Sequence, residues 1–162
     1  MKKFILAITL IFMPILTLAN GYGSTKWGMS PEQVILAEKG KAIAIDDKDY
    51  TYGIAKAKSE NIEIGSSSHT IYYIFDNVNK LIGVEIKPDS NDNPYAADSN
   101  FSKLNSLLTQ KYGKPKFSDE KKSIWRTKDT TIELIKIKAM TFSAVYLSYQ
   151  PNSLADKATA SL

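Results

Sequence analysis

Residues Ser123–Gln150 read SIWRTKDTTIELIKIKAMTFSAVYLSYQ, and this stretch decides the fold. Three runs of alternating apolar character, Ser123–Thr127, Thr130–Lys138 and Phe142–Gln150, are separated by Lys128-Asp129 and by Met140-Thr141. A two-residue turn at Lys128-Asp129 sets Trp125 opposite Ile132. A two-residue turn at Met140-Thr141 sets Leu134 opposite Leu147 and Ile132 opposite Tyr149. The turns are independent, yet both place Trp125, Ile132, Leu134, Val145, Leu147 and Tyr149 on one side. A slip of one residue would move every side chain to the other face. The agreement therefore predicts a three-stranded antiparallel meander whose apolar side packs on helices.

The opposite side of the meander is unusual. It carries Ile124, Ile135, Ile137, Phe142, Ala144 and Tyr146, with Ile135 facing Tyr146. An upstream hairpin, His69–Phe75 and Lys80–Lys87 joined by Asp76–Asn79, adds Tyr72, Ile74 and Leu81 to that side. Its core side is read as Ile71, Tyr73, Ile82, Val84 and Ile86, with Tyr73 facing Ile82. A solvated sheet face alternates toward polar residues. Here only Glu133, Glu85, Thr70 and Ser148 do so. Either another part of the chain covers this face or it receives a partner, through Tyr72, Ile74, Ile135, Ile137, Phe142 and Tyr146.

Two helices are expected. Ser30, Pro31 and Gln33 form a capping box with proline at the first helical position, which starts a helix over about 31–39. Met29 and Val34 take the positions of a hydrophobic staple, and Gly40 is the stop. A second helix ends at Tyr112, with Phe101, Leu104, Leu108 and Tyr112 along one face and Gly113 and Pro115 after it. Between the first helix and the hairpin, Ala42–Ile45, Tyr50–Lys56 and Asn61–Ile64 read as short strands. Asp46–Asp49 reads as an acidic turn and residues 65–68 as a loop.

The ends of the chain carry different signals. Lys2 and Lys3 precede an apolar run over 4–18, and Thr17 and Ala19 suit a cut after residue 19. This is the layout of a secretory signal peptide, and the run is shorter than the ~20 residues of a membrane-spanning helix. The expected organisation is a signal at 1–19, a flexible lead at 20–26, one α+β domain at 27–150 and a frayed tail at 151–162. The expected location is periplasmic or secreted, with no stable membrane insertion after cleavage.

Composition excludes several chemistries. Among 162 residues there is no cysteine and one histidine, so thiolate and multi-histidine metal sites are impossible. The formal net charge is +4, of which Lys2 and Lys3 supply two. Only Arg126 is arginine, the residue best suited to phosphate and base recognition, so no nucleic-acid partner is expected. The cluster Lys111, Lys114, Lys116, Lys121, Lys122, Arg126 and Lys128 is interrupted by Asp119, Glu120 and Asp129, and reads as a solvated rim. His69 follows three serines, but nothing in the pattern positions an acid for a triad, and it reads as a partly exposed residue at a strand end. Asp89–Asn93 has the alternating oxygens of a calcium loop. Pro94 and Asn100 stand where the loop needs glycine and glutamate. No catalytic residue, cofactor or metal is expected.

Trp27-Gly28-Met29-Ser30-Pro31-Glu32-Gln33-Val34 is similar to the start of small exported α+β proteins. These include the beta-lactamase-inhibitor-protein-like group and the small lipoprotein of outer-membrane assembly. Leu104, Leu108 and Lys111-Tyr112-Gly113-Lys114-Pro115, followed by a tryptophan-bearing strand, resemble a second element of exported proteins. The lipidation cysteine of the lipoprotein is missing here. The resemblance implies helices on one side of an antiparallel sheet and binding of another protein by that sheet.

The sequence thus predicts an α+β domain, an antiparallel sheet of about six strands with two helices on one face. The leading expectation is an exported, non-enzymatic binding protein of the bacterial envelope, whose partner is a protein or envelope component, self-association included. A small periplasmic hydrolase and a carrier of an apolar small molecule are the alternatives.

Overall fold

A computed structural model describes residues 21–64, 67–90 and 92–160. The signal predicted at 1–19 lies outside these residues. The chain is α+β with one antiparallel sheet, but the described residues form eight strands and three helices.

Helix α1 is Pro31–Ala37, and it starts as its sequence dictates. Ser30 accepts from the Gln33 backbone, and the Gln33 side chain accepts from the Ser30 backbone N–H at 2.9 Å. Four strands follow: β1 Ile43–Tyr50, β2 Gly53–Ile64, β3 Ser67–Phe75 and β4 Leu81–Pro88. Helix α2 is Pro94–Tyr112, capped by the Asn93 side chain and ended at Gly113, whose φ is +82°. Four more strands follow: β5 Phe117–Ser118, β6 Lys122–Arg126, β7 Thr130–Lys138 and β8 Ser143–Pro151. Helix α3, Asn152–Ala160, ends the described chain.

One helix and a four-stranded meander therefore occur twice. The sheet order is β1-β2-β3-β4-β8-β7-β6-β5, so the two meanders meet at the β4–β8 seam in mirrored sequence order. Val34 of α1 and Ala97, Phe101, Leu104 and Leu108 of α2 join one buried cluster with Tyr73, Val84, Trp125, Ile132 and Leu147. Both helices thus cover the same face, called here the core face.

The C-terminal register is the predicted one. Trp125 faces Ile132, Ile132 faces Tyr149, Leu134 faces Leu147 and Ile135 faces Tyr146. The N-terminal meander differs because its strands are bulged. β1 takes four steps from Ala44 to Lys48 while β2 takes two. The acidic residues predicted as a turn therefore stay extended on an edge strand, where their side chains reach water. The turn is Thr51-Tyr52, between the paired residues Tyr50 and Gly53. A further bulge in β2 holds Asn61 at φ +57°, a conformation that asparagine tolerates better than most residues. In β4 the extra residue is Ile82, because Ile74 faces Gly83 while Phe75 faces Leu81. Leu81 thereby moves to the core face, and Tyr73 pairs with Val84 instead of Ile82. Ser67 and Ser68, expected in a loop, belong to β3.

The ends also differ from expectation. Tyr22, in the segment read as a flexible lead, packs edge-on against Tyr149 at 4.9 Å between ring centroids. Thr25 is fully buried, and Gly28 donates to the Leu81 carbonyl at 2.9 Å. The segment read as a frayed tail forms α3 beside β7 and β8. Its Asn152 donates to the carbonyls of Thr127 and Lys128 and accepts from the Thr131 hydroxyl at 2.8 Å. Leu107, exposed on α2, adds nothing to the core.

Candidate functional site

The face opposite the core is where the sheet departs from a simple solvated surface. Period-two alternation sends Tyr72, Glu85, Ser148 and Glu133 to this outer face, and the register aligns them. Tyr72 faces Glu85, Glu85 faces Ser148, and Ser148 faces Glu133. One row therefore crosses β3, β4, β8 and β7. Ile135 and Tyr146 face each other two residues along, and Ile137 faces Ala144 beyond them.

Two parts of the chain partly roof this face. From the β1–β2 turn, Tyr52 reaches over Gly83, where a β-carbon would stand 2.6 Å from its ring. Its hydroxyl donates to Glu85 Oε1 at 3.2 Å. From the other side, α3 comes back over β7 and β8, fixed by the Asn152 bonds and by a two-pronged contact of Arg126 with Asp156 at 2.7 Å. Between them remains an open groove of about 430 Å³, lined chiefly by Tyr52, Glu85, Glu133, Ile135, Ile137 and Tyr146.

The groove has a distinct electrostatic character. Lys87 approaches Glu85 Oε2 at 2.9 Å, and Lys122 pairs with Glu133. Burial pushes the Tyr52 phenol well above its ordinary range, and the charges of Glu85 and Glu133 push the same way. Burial and then Glu85 also raise Tyr146. Both phenols stay neutral at physiological pH. Lys87 itself lines the groove, and its ammonium lies 4.2 Å from the Tyr50 ring centroid, while Lys48 lies 4.4 Å from that of Tyr72.

Of the residues singled out in the sequence, Ile135, Ile137 and Tyr146 line this groove. Tyr72 borders it through Glu85, and Phe142 is half-buried near the β7–β8 turn. Ile74 is fully buried and offers no surface, because Tyr52 and the β1–β2 turn close over its neighbourhood. Tyr52 escaped the sequence reading, since its part in the groove depends on a turn placed inside a run read as a strand. Glu85 and Glu133 were visible as polar breaks in the alternation, but their shared row depends on the β4–β8 pairing.

The other motifs resolve into structure. His69 is buried, with Nδ1 2.9 Å from the Ser67 carbonyl oxygen. It was expected to be a partly exposed strand end. Asp89 accepts from Thr70 at 2.6 Å and from Ser68 at 2.7 Å, and these bonds hold its carboxyl below the usual range. Asp92 accepts from Ser67 at 2.7 Å and from Asn100 at 3.2 Å. The oxygens of the calcium-like loop thus fasten it to β3 and α2. Among the described residues, no group of three or more histidine or acidic side chains is placed to hold a metal ion. No helix among them is long and apolar enough to cross a membrane.

Comparison with known proteins gives one match. The model of a family described as the TP0088 domain matches residues 20–159. No curated protein and no solved structure matches the chain, so the resemblance to the beta-lactamase-inhibitor-protein-like group gains no support.

Proposed function

The chain belongs to the TP0088 domain family, and we propose that it is an exported, non-enzymatic binding protein of the bacterial envelope. The partner is a protein met by the outer sheet face, through Tyr72, Ile135, Ile137, Phe142 and Tyr146. The observation that carries this reading is the groove at the seam of the two meanders. It stays open although Tyr52 and α3 cover the face on either side, and apolar side chains stand in it beside two carboxylates. Grooves at the junction of two structural units are favoured binding positions. Export rests on the sequence of residues 1–19.

The test is capture from the envelope fraction by tagged protein, with partners identified by mass spectrometry. Wild type and a Leu36→Lys control, altered on an exposed α1 position, should recover the same partner. Ile135→Lys should lose it. Equal recovery by Ile135→Lys would remove the outer face from consideration.

The volume and partly apolar lining of the groove favour one second reading, a carrier of an apolar small molecule. Organic extraction of the protein purified from its host would then yield a stoichiometric compound.

A further inference from the structure

We propose that α3 is a detachable strap over the outer sheet face, pivoted at Asn152 and latched by Arg126 and Asp156, and that it governs how much of the groove a partner reaches. This inference rests on the binding role of the outer face and adds its regulation.

Helix α3 is held differently from the other two helices. Helix α1 buries Val34, and α2 buries Ala97, Asn100, Phe101, Leu104 and Leu108. No side chain over 152–158 of α3 is buried. Leu154 is the one large apolar side chain in that span, and it is half-buried. Ala158, four residues on and so on the same side of the helix, lines the groove. A face of leucine and alanine removes little apolar area from water, so it docks weakly. A helix of nine residues does not persist alone in water, so undocking and melting of α3 are one event.

The attachments are unequal. At the start of the helix, the Asn152 backbone N–H donates to the Asp129 carbonyl at 3.0 Å. Its side chain makes three more bonds, to the carbonyls of Thr127 and Lys128 and to the Thr131 hydroxyl. The preceding Pro151 is still paired with Thr130. This end is a fixed pivot. One turn further on, the only arginine of the chain grips Asp156 with both guanidinium nitrogens at 2.7 Å. Both partners are solvent-exposed, so water and salt compete for this latch.

The surface beneath is continuous with the groove. Ile132 faces the core, so Thr131 points to the outer face, and it is buried there. Gln150 faces it on β8 and lines the groove. Swinging α3 away about Asn152 removes the wall that Ala158 forms and lengthens the groove past Gln150 toward the β6–β7 turn. The opening breaks no strand pairing and exposes no core side chain, which is the property of a local opening far cheaper than unfolding.

Two measurements on the full chain test this. In amide hydrogen exchange, Asp156, Lys157 and Ala158 should exchange at nearly one rate, at least about a hundredfold faster than the paired amides of β7 and β8. Asp156→Ala should speed the α3 amides by one common factor and leave the sheet unmoved. Exchange of α3 as slow as the sheet, protection that falls away residue by residue toward the end of the helix, or no effect of Asp156→Ala would overturn the strap. The second measurement repeats the envelope capture with a released protein, Leu154→Asp with Asp156→Lys, which opposes Arg126 and keeps the Asn152 pivot. Its fold is verified by an unchanged core spectrum. It should recover at least about threefold more partner than wild type. Equal or lower recovery would overturn the regulatory role. If neither protein recovers a partner, the docking reading fails and the regulatory role with it, while the exchange rates still decide whether α3 opens.

Discussion

Tyr52 and Gly83 are packed so closely that a β-carbon on residue 83 would stand 2.6 Å from Tyr52 Cε2 and 2.9 Å from its hydroxyl oxygen. The two residues are 31 positions apart. A residue with no side chain in the middle of β4 makes room for a ring sent over by the β1–β2 turn. Gly83→Ala should therefore displace Tyr52, break its bond to Glu85 and cost about 1–3 kcal/mol in urea denaturation. In a Tyr52→Ala background the same substitution should cost far less. Equal costs in both backgrounds would show that the ring does not depend on the glycine.

In the core, the Tyr73 and Ser59 hydroxyls share a hydrogen bond at 3.3 Å, and both residues are buried. Ser59→Ala strips the phenol of this partner. The penalty of a buried polar group left unsatisfied, about 1–3 kcal/mol, exceeds the net value of an ordinary hydrogen bond. Adding Tyr73→Phe should recover part of that loss, and a double-mutant cycle read by chemical denaturation measures it.

At high pH the buried tyrosines should set the limit of stability. Burial, with the charge of Glu38 behind it, raises Tyr22 from 10.0 to about 12, and burial raises Tyr73 and Tyr149 as well. These groups have folded values above their unfolded ones. Their stabilising contribution is complete below pH 10 and is lost as pH rises through the folded values. A spectrophotometric titration should show the buried phenols ionising together with unfolding. Non-cooperative ionisation of all tyrosines near pH 10 would contradict this.

At low pH one contributing group is Asp89. Bonds from Thr70 and Ser68 depress its folded value below the ordinary 3.8. The contribution is present above the unfolded value and is lost as pH falls through the lower folded one. Asp89→Asn should flatten the acid limb of the stability profile and leave the limb above pH 5 unchanged in slope.

Two anchors hold α3, and they should differ in worth. The contact of Arg126 with Asp156 is on the surface, so Asp156→Ala should lower the melting midpoint only slightly, and the difference should shrink with added salt. Asn152 satisfies two carbonyls of the β6–β7 turn and the Thr131 hydroxyl at once. Asn152→Ala should cost about 1–3 kcal/mol and be insensitive to salt. Thermal melts at low and high ionic strength distinguish the two.

The sequence was most readable where alternation and short turns constrain each other. Trp125, Ile132, Leu134 and Leu147 could be registered because two separate two-residue turns had to agree. The Ser30 cap was readable because its partners lie within three residues. The N-terminal meander hid its register because each bulge shifts the pairing without leaving a local mark. Ile82 shows the consequence, since one extra residue exchanged it with Leu81 between faces. Asp46–Asp49 looked like a turn by composition and stays in a strand because an edge leaves charged side chains in water. Half of the candidate site was legible as misplaced apolar residues, Ile135, Ile137 and Tyr146. The other half, Tyr52 over Gly83 and the row of Glu85 and Glu133, exists only through contacts between distant segments.

The mirrored strand order has a practical outcome. Each helix packs on strands of its own meander, and the described pairing between the meanders runs through Val84, Glu85 and Ile86 with Tyr149, Ser148 and Leu147. A backbone break in the loop between β4 and α2 would sever no strand and no helix. It would leave two fragments with matching open edges and matching halves of one apolar core. Such fragments would complement each other on mixing, and the groove would form only in the reassembled pair. The chain is thus suited to split-reporter use, in which recovery of the folded sheet reports that two tethered partners have met.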